Sequence, residues 1–300
     1  MSAKIIDGNK IAAEIRVEIK EEVAALKRKG INPGLVVVLV GEDPASTSYV
    51  RNKGKACDEV GIIGETIKLP ATTTEEELLD LVKKLNNDPK WHGILIQLPL
   101  PDHIEESKII NAIDPYKDVD CFHPYNIGRV LIGDPIFLPC TPAGIQQLLI
   151  RTDNNPKGKH VVICGRSNIV GKPMAAILVQ KDSMVQKSSG ADATVTIVHT
   201  RTKDMAYHTR QADILIAAAG VPRMIKADMV KDGVVVIDVG VNRVDDPTSP
   251  KGWKLVGDVD FDAVKEKASA ITPVPGGVGP MTITMLLQNT VRAAKLVKRT

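Results

Sequence analysis

The sequence has 300 residues, of which 43% are hydrophobic and 25% are charged, and its formal net charge is only +3. A chain of this length can bury the core of one large or two medium domains, and its many apolar residues exclude global disorder. No apolar run reaches the roughly 20 residues of a membrane helix, and the first residues do not form a secretory signal. We therefore expect a cytoplasmic protein with no membrane partner.

Two further classes of site are excluded by composition and spacing. Aromatic residues make up 3% of the chain, and the small net charge argues against a nucleic-acid partner. The four cysteines form no CxxC pair, and the six histidines form no HExxH motif. We therefore expect no disulfide framework and no metal site.

The first half of the chain predicts helices and strands in alternation. Helices are predicted over residues 9–29 and 46–60 and from Glu75 through Leu85, where apolar residues recur at helical spacing. Continuous apolar runs predict buried strands over 35–40 and 93–98, and a short strand is predicted over 66–69. Residues 114–140, rich in Asp, Pro and Gly, are expected to be irregular.

A second series of strands and helices follows a helix predicted over 142–149 and a polar linker over 153–158. Its predicted elements are strands over 159–164, 193–199, 213–219 and 233–239, a helix over 169–179, a polar insertion over 181–192, a Pro/Gly loop over 272–280 and a last helix over 281–298. This alternation is typical of α/β lobes with mainly parallel sheets. We expect two such lobes joined near 141–158, with the last helix returning to the first lobe and a ligand site in the cleft between them.

A nucleotide-binding signal lies in the second series. Residues 159–171 read KHVVICGRSNIVG, an apolar strand and a turn with Gly165 and Gly171 before a helix. Such a turn can place a pyrophosphate at the helix N-terminus, although an ordinary strand-to-helix turn also carries two glycines. Arg166 in the turn, with Thr200 and Arg201 after the next strand, suits the 2′-phosphate of NADP better than NAD. Solvated arginines remain the alternative.

A second chemical signal lies in the predicted helix over 46–60. Tyr49 and Lys53 are four residues apart, so they share one helix face. A lysine becomes a useful acid or base when burial or nearby cations lower its pKa, but for an isolated pair the spacing favours an exposed lysine beside a half-buried tyrosine. Tyr-x-x-x-Lys also occurs in short-chain dehydrogenases, where the glycine turn precedes the pair. Here the pair precedes Gly165, which argues against that class.

Three other segments carry polar or conformationally special residues. Gln97 ends a predicted parallel strand, where ligands gather. Asp118 and Asp120 follow it, and a carboxylate can accept two N–H bonds from an amino-pyrimidinone edge, although each of these residues taken alone is more often a loop cap or turn residue. The loop over 272–282 combines three prolines with three glycines, which restricts its path and still allows close approach to a flat ligand.

Taken together, these segments resemble the bifunctional methylenetetrahydrofolate dehydrogenase/methenyltetrahydrofolate cyclohydrolase family over nearly the whole chain. The resemblance rests on five motifs in order: YVRNK at 49–53, EEELLDLVKKLNNDPKWHGILIQLPLP at 75–101, KDVD at 117–120, GRSNIVGKPM at 165–174 and PGGVGPMT at 275–282. It implies oxidation of 5,10-methylenetetrahydrofolate with NADP⁺ and hydrolysis of the methenyl product to 10-formyltetrahydrofolate. It also implies a supply of one-carbon units for purine, histidine and methionine biosynthesis.

The resemblance assigns roles to residues of the folate site. Lys53 would be the acid/base group of the hydrolysis, Tyr49 would orient the folate, Gln97 would tune Lys53, and Asp120 would hold the amino edge of the pterin. The other implied substrate-binding residues are Leu98, Pro275, Gly276, Gly277, Val278 and Gly279. NADP would contact a further set: Gly165, Arg166, Ser167, Thr200 and Val241.

The resemblance also implies a domain arrangement and a partner. Residues 1–140 would form an α/β catalytic domain that binds tetrahydrofolate derivatives, and 281–300 would pack back onto it. Residues 141–280 would form a Rossmann-type NADP-binding domain, and the protein would be a homodimer through that domain.

Three positions depart from the usual family pattern. Cys121 follows KDVD where glycine is usual, which raises a question about its φ angle. Thr200 stands where serine is common, and the insertion over 181–192 is longer than usual.

A dehydrogenase without cyclohydrolase activity and a non-catalytic binding protein are the two alternative functions. The first is disfavoured by the presence of Tyr49, Lys53 and Gln97, and the second by the presence of Lys53 and of the loop over 275–282.

Overall fold

The computed structural model describes residues 2–185 and 189–296. The chain divides into two compact units by its internal contacts. One, the six-stranded unit, comprises Met1–Ala12 and Thr141–Thr282. The other, the three-stranded unit, comprises Ala13–Cys140 and Ile283–Thr300.

Helices and strands alternate along the described residues. The α-helices are α1 (Gly8–Arg28), α2 (Pro44–Val60), α3 (Glu75–Asn87), α4 (Glu106–Ala112), α5 (Pro124–Leu131), α6 (Cys140–Arg151), α7 (Gly171–Leu178), α8 (Met205–Thr209), α9 (Phe261–Lys265) and α10 (Val278–Leu296), with a short 3-10 helix at Ala227–Met229. The strands are β1 (Lys4–Ile5), β2 (Gly34–Val40), β3 (Ile63–Leu69), β4 (Gly93–Ile96), β5 (His160–Cys164), β6 (Thr194–Val198), β7 (Ile214–Ala217), β8 (Val235–Asp238), β9 (Asn242–Asp245), β10 (Trp253–Val256) and β11 (Ala270–Ile271).

The three-stranded unit is built on a parallel sheet in the order β3-β2-β4. All seven residues of the central strand β2 are buried, as expected for a strand with helices on both faces. Helix α3 begins with a capping box, in which the Thr74 hydroxyl accepts the N–H of Glu77 and the Glu77 carboxylate accepts the N–H of Thr74. Helix α2 begins at the N-cap Asp43 and ends at Gly61 in a left-handed conformation.

The six-stranded unit is built on a second sheet, in the order β1-β11-β8-β7-β5-β6, with all neighbours parallel. Its core is made by apolar side chains from the inner strands, among them Val162, Leu215 and Val236. Because the strands are parallel, the segments that follow β5, β6, β7 and β8 emerge at the same edge of the sheet. A separate antiparallel pair is formed by β9 and β10.

The predicted α/β class with parallel sheets is confirmed. The prediction that 114–140 is irregular is wrong in part, because α5 forms there and buries Asn126 and Val130. The strand predicted over 93–98 ends at Ile96, and the helix predicted from Met281 already begins at Val278. Part of the insertion (186–188) and the end of the last predicted helix (297–298) lie outside the described residues.

Candidate active site

The side chains of Tyr49 and Lys53 lie on one face of α2 in the three-stranded unit. Lys53 is only 5% exposed, and its Nζ atom donates a 3.0 Å hydrogen bond to Oε1 of Gln97. The same Nζ atom lies 5.6 Å from the centre of the Tyr49 ring, and Tyr49 is 39% exposed. The alternative of an exposed lysine is therefore wrong, and the amine is held beside a ring with an accessible surface.

Burial controls the ionisation of this pair. It lowers the pKa of Lys53 because a charged amine loses hydration, while the carboxylate of Asp120 acts in the opposite direction. Burial also raises the pKa of Tyr49, and the charge of Asp120 adds to that increase. Lys53 therefore forms its neutral amine at a lower pH than an ordinary lysine does, and the phenol of Tyr49 stays protonated.

Gln97 follows β4 directly, at the carboxyl end of the three-stranded sheet. Its Nε2 atom donates to the carbonyl of Leu98 at 2.8 Å, and its backbone N–H bonds to the carbonyl of Val38 at 2.9 Å. The amide is thereby oriented with its oxygen toward Lys53. A glutamine rather than a carboxylate at this place accepts the amine's hydrogen bond without adding a charge that would raise its pKa.

The two aspartates of KDVD have different environments. Asp118 is 2% exposed, and its carboxylate accepts the N–H groups of Phe122 and His123 and the Nδ2 of Asn126. Those bonds hold the turn over 118–123, so Asp118 shapes the backbone. The carboxylate of Asp120 is less buried and interacts electrostatically with both Lys53 and Tyr49.

Cys121, at a position where the family usually has glycine, has the backbone conformation that glycine favours. Its φ angle is +61°, in the left-handed region that favours glycine, and its side chain is fully buried. Its thiol donates to the carbonyl of Phe137 at 3.4 Å. A buried sulfur contact therefore accompanies a strained backbone directly after Asp120.

Two residues of this neighbourhood were missed by the sequence analysis. The thiol of Cys140 donates to the carbonyl of Val119 at 3.4 Å, and burial, with the nearby charge of Asp120, raises its pKa, so it stays a neutral donor. Asn289 on α10 donates through Nδ2 to the carbonyls of Val119 and Leu138, both at 2.8 Å. These bonds hold the backbone one residue before Asp120 and two residues before Cys140. Neither residue stands at a spacing that a motif would reveal.

The Pro/Gly loop belongs to the six-stranded unit. Gly276 has a φ of +103°, and its carbonyl accepts the backbone N–H of Asn9 at 3.2 Å. Val278 and Gly279 form the first turn of α10. The loop is thus fastened to the start of α1 by this main-chain bond.

The glycine turn of the six-stranded unit brings main-chain segments into close contact. A Cβ atom at Gly165 would lie 2.1 Å from the carbonyl oxygen of Ala218, and one at Gly171 would lie 2.3 Å from the carbonyl oxygen of Gly165. The hydroxyl of Ser167 accepts the N–H groups of Val170 and Gly171, at 3.1 and 3.3 Å, and so shapes the start of α7. A turn with no side chains at these points leaves its backbone open to a phosphate group.

The remaining candidate cofactor residues follow neighbouring strands of the same sheet. Arg166 follows β5, Thr200 follows β6, and Val241 follows β8; all three are exposed. The loop after β6 is shaped by His199, whose Nδ1 accepts the N–H of Arg201 at 3.2 Å. The parallel sheet therefore brings these residues to one edge, which is where dinucleotides bind in such sheets.

The described residues, 2–185 and 189–296, contain no cluster of three or more His, Cys, Asp or Glu side chains arranged to hold a metal ion. None of their helices combines the length and apolar character that crossing a bilayer requires. All four cysteines are free and buried.

Comparison with known proteins places the chain in a family. Residues 6–120 match the family model described as tetrahydrofolate dehydrogenase/cyclohydrolase, catalytic domain, and residues 139–298 match its NAD(P)-binding domain. The chain belongs to the tetrahydrofolate dehydrogenase/cyclohydrolase family. The resemblance stated from the sequence motifs is thereby confirmed.

Individual members of this family are similar to this chain along nearly its whole length. The bifunctional protein FolD of Moorella thermoacetica is 60% identical over 295 residues, which is 98% of this chain and 100% of that protein. The crystal structure of the bifunctional enzyme FolD from Campylobacter jejuni has a TM-score of 0.90 at 49% identity, covering 98% of this chain and 99% of that one. The FolD structure from Trypanosoma brucei, complexed with NADP cofactor and an inhibitor, has a TM-score of 0.91 at 42% identity, covering 98% of each chain.

Proposed function

We propose that this protein oxidises 5,10-methylenetetrahydrofolate to 5,10-methenyltetrahydrofolate with NADP⁺ and hydrolyses the methenyl form to 10-formyltetrahydrofolate. The single observation that carries the hydrolytic half is the buried amine of Lys53 bonded to Gln97. The proposal is supported by family membership and by relatives named as bifunctional enzymes. A dehydrogenase without hydrolytic activity would not need this buried amine, whose burial is costly.

Lys53 is the proposed acid/base residue of the hydrolysis. Water adds to the methenyl carbon, and opening of the ring then requires a proton to move from the added oxygen to a ring nitrogen. Because its pKa is lowered, the amine reaches its neutral form at a lower pH than an ordinary lysine and can take and return that proton; such groups typically contribute about 10²–10⁴-fold. Gln97 keeps the amine oriented toward the same place in both protonation states, because its oxygen accepts from NH₂ as well as NH₃⁺.

The remaining folate contacts are assigned by chemistry. Asp120 is the proposed acceptor for the amino edge of the pterin, since a carboxylate can accept two parallel N–H bonds. The accessible ring of Tyr49 stacks on the flat substrate. Leu98 and the loop Pro275, Gly276, Gly277, Val278 and Gly279 complete the proposed substrate contacts.

The six-stranded unit suits NADP. Gly165 and Gly171 leave the backbone of the turn uncovered, and Arg166 and Ser167 stand on that turn. Thr200 and Val241 follow neighbouring strands at the same sheet edge, and Arg166 and Arg201 supply cations for a 2′-phosphate. NADP⁺, when bound, supplies the acceptor for the hydride that leaves the methylene carbon. The Trypanosoma brucei complex supports this choice of cofactor.

We further propose a homodimer formed through the six-stranded unit. In the part of the chain that the structure describes, β6 pairs with β5 alone and therefore presents a free edge. That strand reads TVTIV, with no charge or proline to block pairing, and Ile197 on it and Val179 after α7 are exposed. Pairing with β6 of a second copy would cover this edge.

The domain organisation and setting follow the same proposal. Residues 1–140 with 281–300 would form the folate-binding domain, and 141–280 the NADP-binding domain. The protein would act in the cytoplasm, where its 10-formyl product would serve purine, histidine and methionine biosynthesis.

A direct assay tests the proposed function. Purified protein is mixed with methylenetetrahydrofolate and either NADP⁺ or NAD⁺, and the reduced cofactor is followed by absorbance. In a second assay, methenyltetrahydrofolate is added and its decay is compared with decay in buffer. We expect reduction of NADP⁺ to be faster than that of NAD⁺, and decay of the methenyl compound to be accelerated. Absence of either activity would refute the corresponding half of the proposal.

A further inference from the structure

Asp258, which follows β10 in the six-stranded unit, is a fully buried carboxylate outside the predicted cofactor set. Its Oδ2 atom accepts the backbone N–H groups of Ala219 and Gly220, at 2.6 and 2.8 Å. Its Oδ1 atom accepts Nδ2 of Asn242 at 2.9 Å. One carboxylate thus ties together two segments that are more than twenty residues apart in sequence.

Both segments lie at the edge of the sheet where the cofactor is proposed to bind. Ala219 and Gly220 follow β7, and Asn242 follows β8 directly after the candidate contact Val241. The segment after β7 is also bonded to the glycine turn after β5, since Ala218 donates its N–H to the carbonyl of Cys164 at 2.8 Å. A shift of the segment after β7 would therefore disturb the turn that begins at Gly165.

Asp258 is itself held in place by a second buried carboxylate. Oδ1 of Asp238, at the end of β8, accepts the backbone N–H of Asp258 at 2.9 Å and that of Gly240 at 3.0 Å. Its Oδ2 accepts the N–H of Val259 at 3.0 Å. The position of Asp258 is therefore determined by main-chain bonds, and its side chain has little freedom.

We propose that Asp258 is a positioning residue for NADP, acting by fixing the segments 218–220 and 240–242 in the conformation that receives the cofactor. The inference rests on the proposed function, because it concerns the same cofactor site. Asp258 need not touch NADP; its role is to order the backbone that does. A buried donor that loses its acceptor is costly, so removing the carboxylate would release both segments.

The bond between Asp258 and Asn242 allows a reciprocal test. Asn242→Asp would place a second, half-buried carboxylate at hydrogen-bonding distance from the buried carboxylate of Asp258, where like charges repel. Asp258→Asn keeps one oxygen for the N–H groups of Ala219 and Gly220 and turns its NH₂ toward residue 242. In the double variant, the asparagine at 258 donates to the carboxylate at 242, so the bond is restored in the reverse sense.

The experiment measures the Kd of NADP⁺ for the full-length wild type, both single variants and the double variant. The kcat and KM of the dehydrogenase and the cyclohydrolase rate are measured on the same preparations. We expect Asn242→Asp to weaken NADP⁺ binding by about tenfold or more, and the double variant to recover most of that loss. The KM for NADP⁺ should follow Kd while kcat changes less, and the cyclohydrolase rate, which needs no NADP⁺, should stay near that of the wild type.

Each outcome bears on a different claim. Wild type that fails to bind NADP⁺ would overturn the proposed function and this inference together. If the wild type binds NADP⁺ and all three variants bind it with the same Kd as the wild type, this inference alone is overturned. A parallel loss of cyclohydrolase activity and NADP⁺ affinity, or a double variant no better than Asn242→Asp, would show a merely structural role and would also overturn it.

Discussion

The Nζ atom of Lys53 lies 3.0 Å from Oε1 of Gln97, so a buried amine on helix α2 is bonded to a neutral acceptor at the end of strand β4. The neutral partner matters because burial lowers the pKa of Lys53, whereas a carboxylate in the same place would raise it. The pair therefore combines a defined direction for the amine with access to its uncharged form.

Replacing Gln97 by glutamate tests this reading of the pair. Gln97→Glu adds a negative charge next to the amine, which should raise the pKa of Lys53 and move the rise of cyclohydrolase activity to higher pH. Below that pKa, the fraction of neutral amine falls about tenfold for each unit of increase, so the rate at pH 7 should drop accordingly. The measurement is the pH profile of methenyl decay after subtraction of the buffer rate.

Gln211→Glu is the matched control for this change. Gln211 is exposed and also donates through Nε2 to a carbonyl, that of Tyr207, at 2.9 Å. Its substitution should leave the pH profile where it is. A profile for Gln97→Glu that coincides with that of the wild type would contradict the role given to the neutral amide.

The lowered pKa of Lys53 also predicts how stability changes with pH. Between the lowered pKa of the folded state and the ordinary lysine pKa of about 10.4, the unfolded chain binds a proton that the folded chain has released. The free energy of unfolding should therefore rise with pH in that window, relative to a Lys53→Met variant that cannot titrate there. Urea unfolding from pH 7 to 10 measures the difference between the two proteins.

Lys55→Met provides the comparison, because Lys55 is exposed on the same helix. The free energy of unfolding of Lys55→Met should change with pH in the same way as that of the wild type. If the difference between wild type and Lys53→Met stayed constant across the range, the amine would titrate as an ordinary lysine.

Gly165→Ala tests the close approach in the glycine turn. The added Cβ would lie 2.1 Å from the carbonyl oxygen of Ala218, and the φ angle of +145° is one that other residues rarely adopt. Strain of this kind costs on the order of 1–3 kcal/mol, so if it is relieved at the expense of the bound conformation, NADP⁺ affinity should fall by about 5- to 140-fold. Titration of the variant with NADP⁺ measures the loss.

Gly158→Ala separates strain from collision. Gly158 also has a positive φ, +68°, but an added Cβ there meets no atom within 4 Å. We expect a loss of stability of about 1–2 kcal/mol with unchanged NADP⁺ affinity. Equal affinities in Gly165→Ala and Gly158→Ala would show that the contact with Ala218 is irrelevant to the cofactor.

Cys121 predicts an unusual order of stability. At a φ of +61°, alanine pays the left-handed backbone cost and glycine does not, while both lose the thiol contact with Phe137. Cys121→Gly should therefore be more stable than Cys121→Ala by about 1 kcal/mol. At Cys164, within β5, we expect the usual order of stability, in which Cys164→Ala is more stable than Cys164→Gly. Urea midpoints of the four variants decide the matter, and an alanine advantage at both sites would contradict the prediction.

The parts of the fold that could be predicted are those with a strong local pattern. The buried run in β2 and the capping box before α3 are visible in a few consecutive residues. The two-residue strands β1 and β11 could not be found, because they are defined by pairing with distant segments: β1 pairs with β11 more than 260 positions away, and β11 also pairs with β8. Helix α5 was missed because its region is rich in turn residues and its buried face consists of only two side chains.

The same distinction applies to the candidate site. Tyr49 and Lys53 share a helix, so their proximity follows from their spacing, whereas the bond from Lys53 to Gln97 spans 44 residues. Asn289 reaches Val119 across 170 residues, and Asp258 reaches Ala219 across 39. Contacts of this kind depend on tertiary packing, which periodicity does not encode.

The most direct test of the account is the behaviour of Lys53→Met with methylenetetrahydrofolate and NADP⁺, with Lys55→Met as the matched control. The wild type and the control should form NADPH and pass the methenyl compound on to 10-formyltetrahydrofolate. Lys53→Met should still bind folate but hydrolyse added methenyltetrahydrofolate no faster than buffer, a loss of about 10²–10⁴-fold. Undiminished hydrolysis by Lys53→Met would contradict the central claim that this buried amine carries the cyclohydrolase reaction.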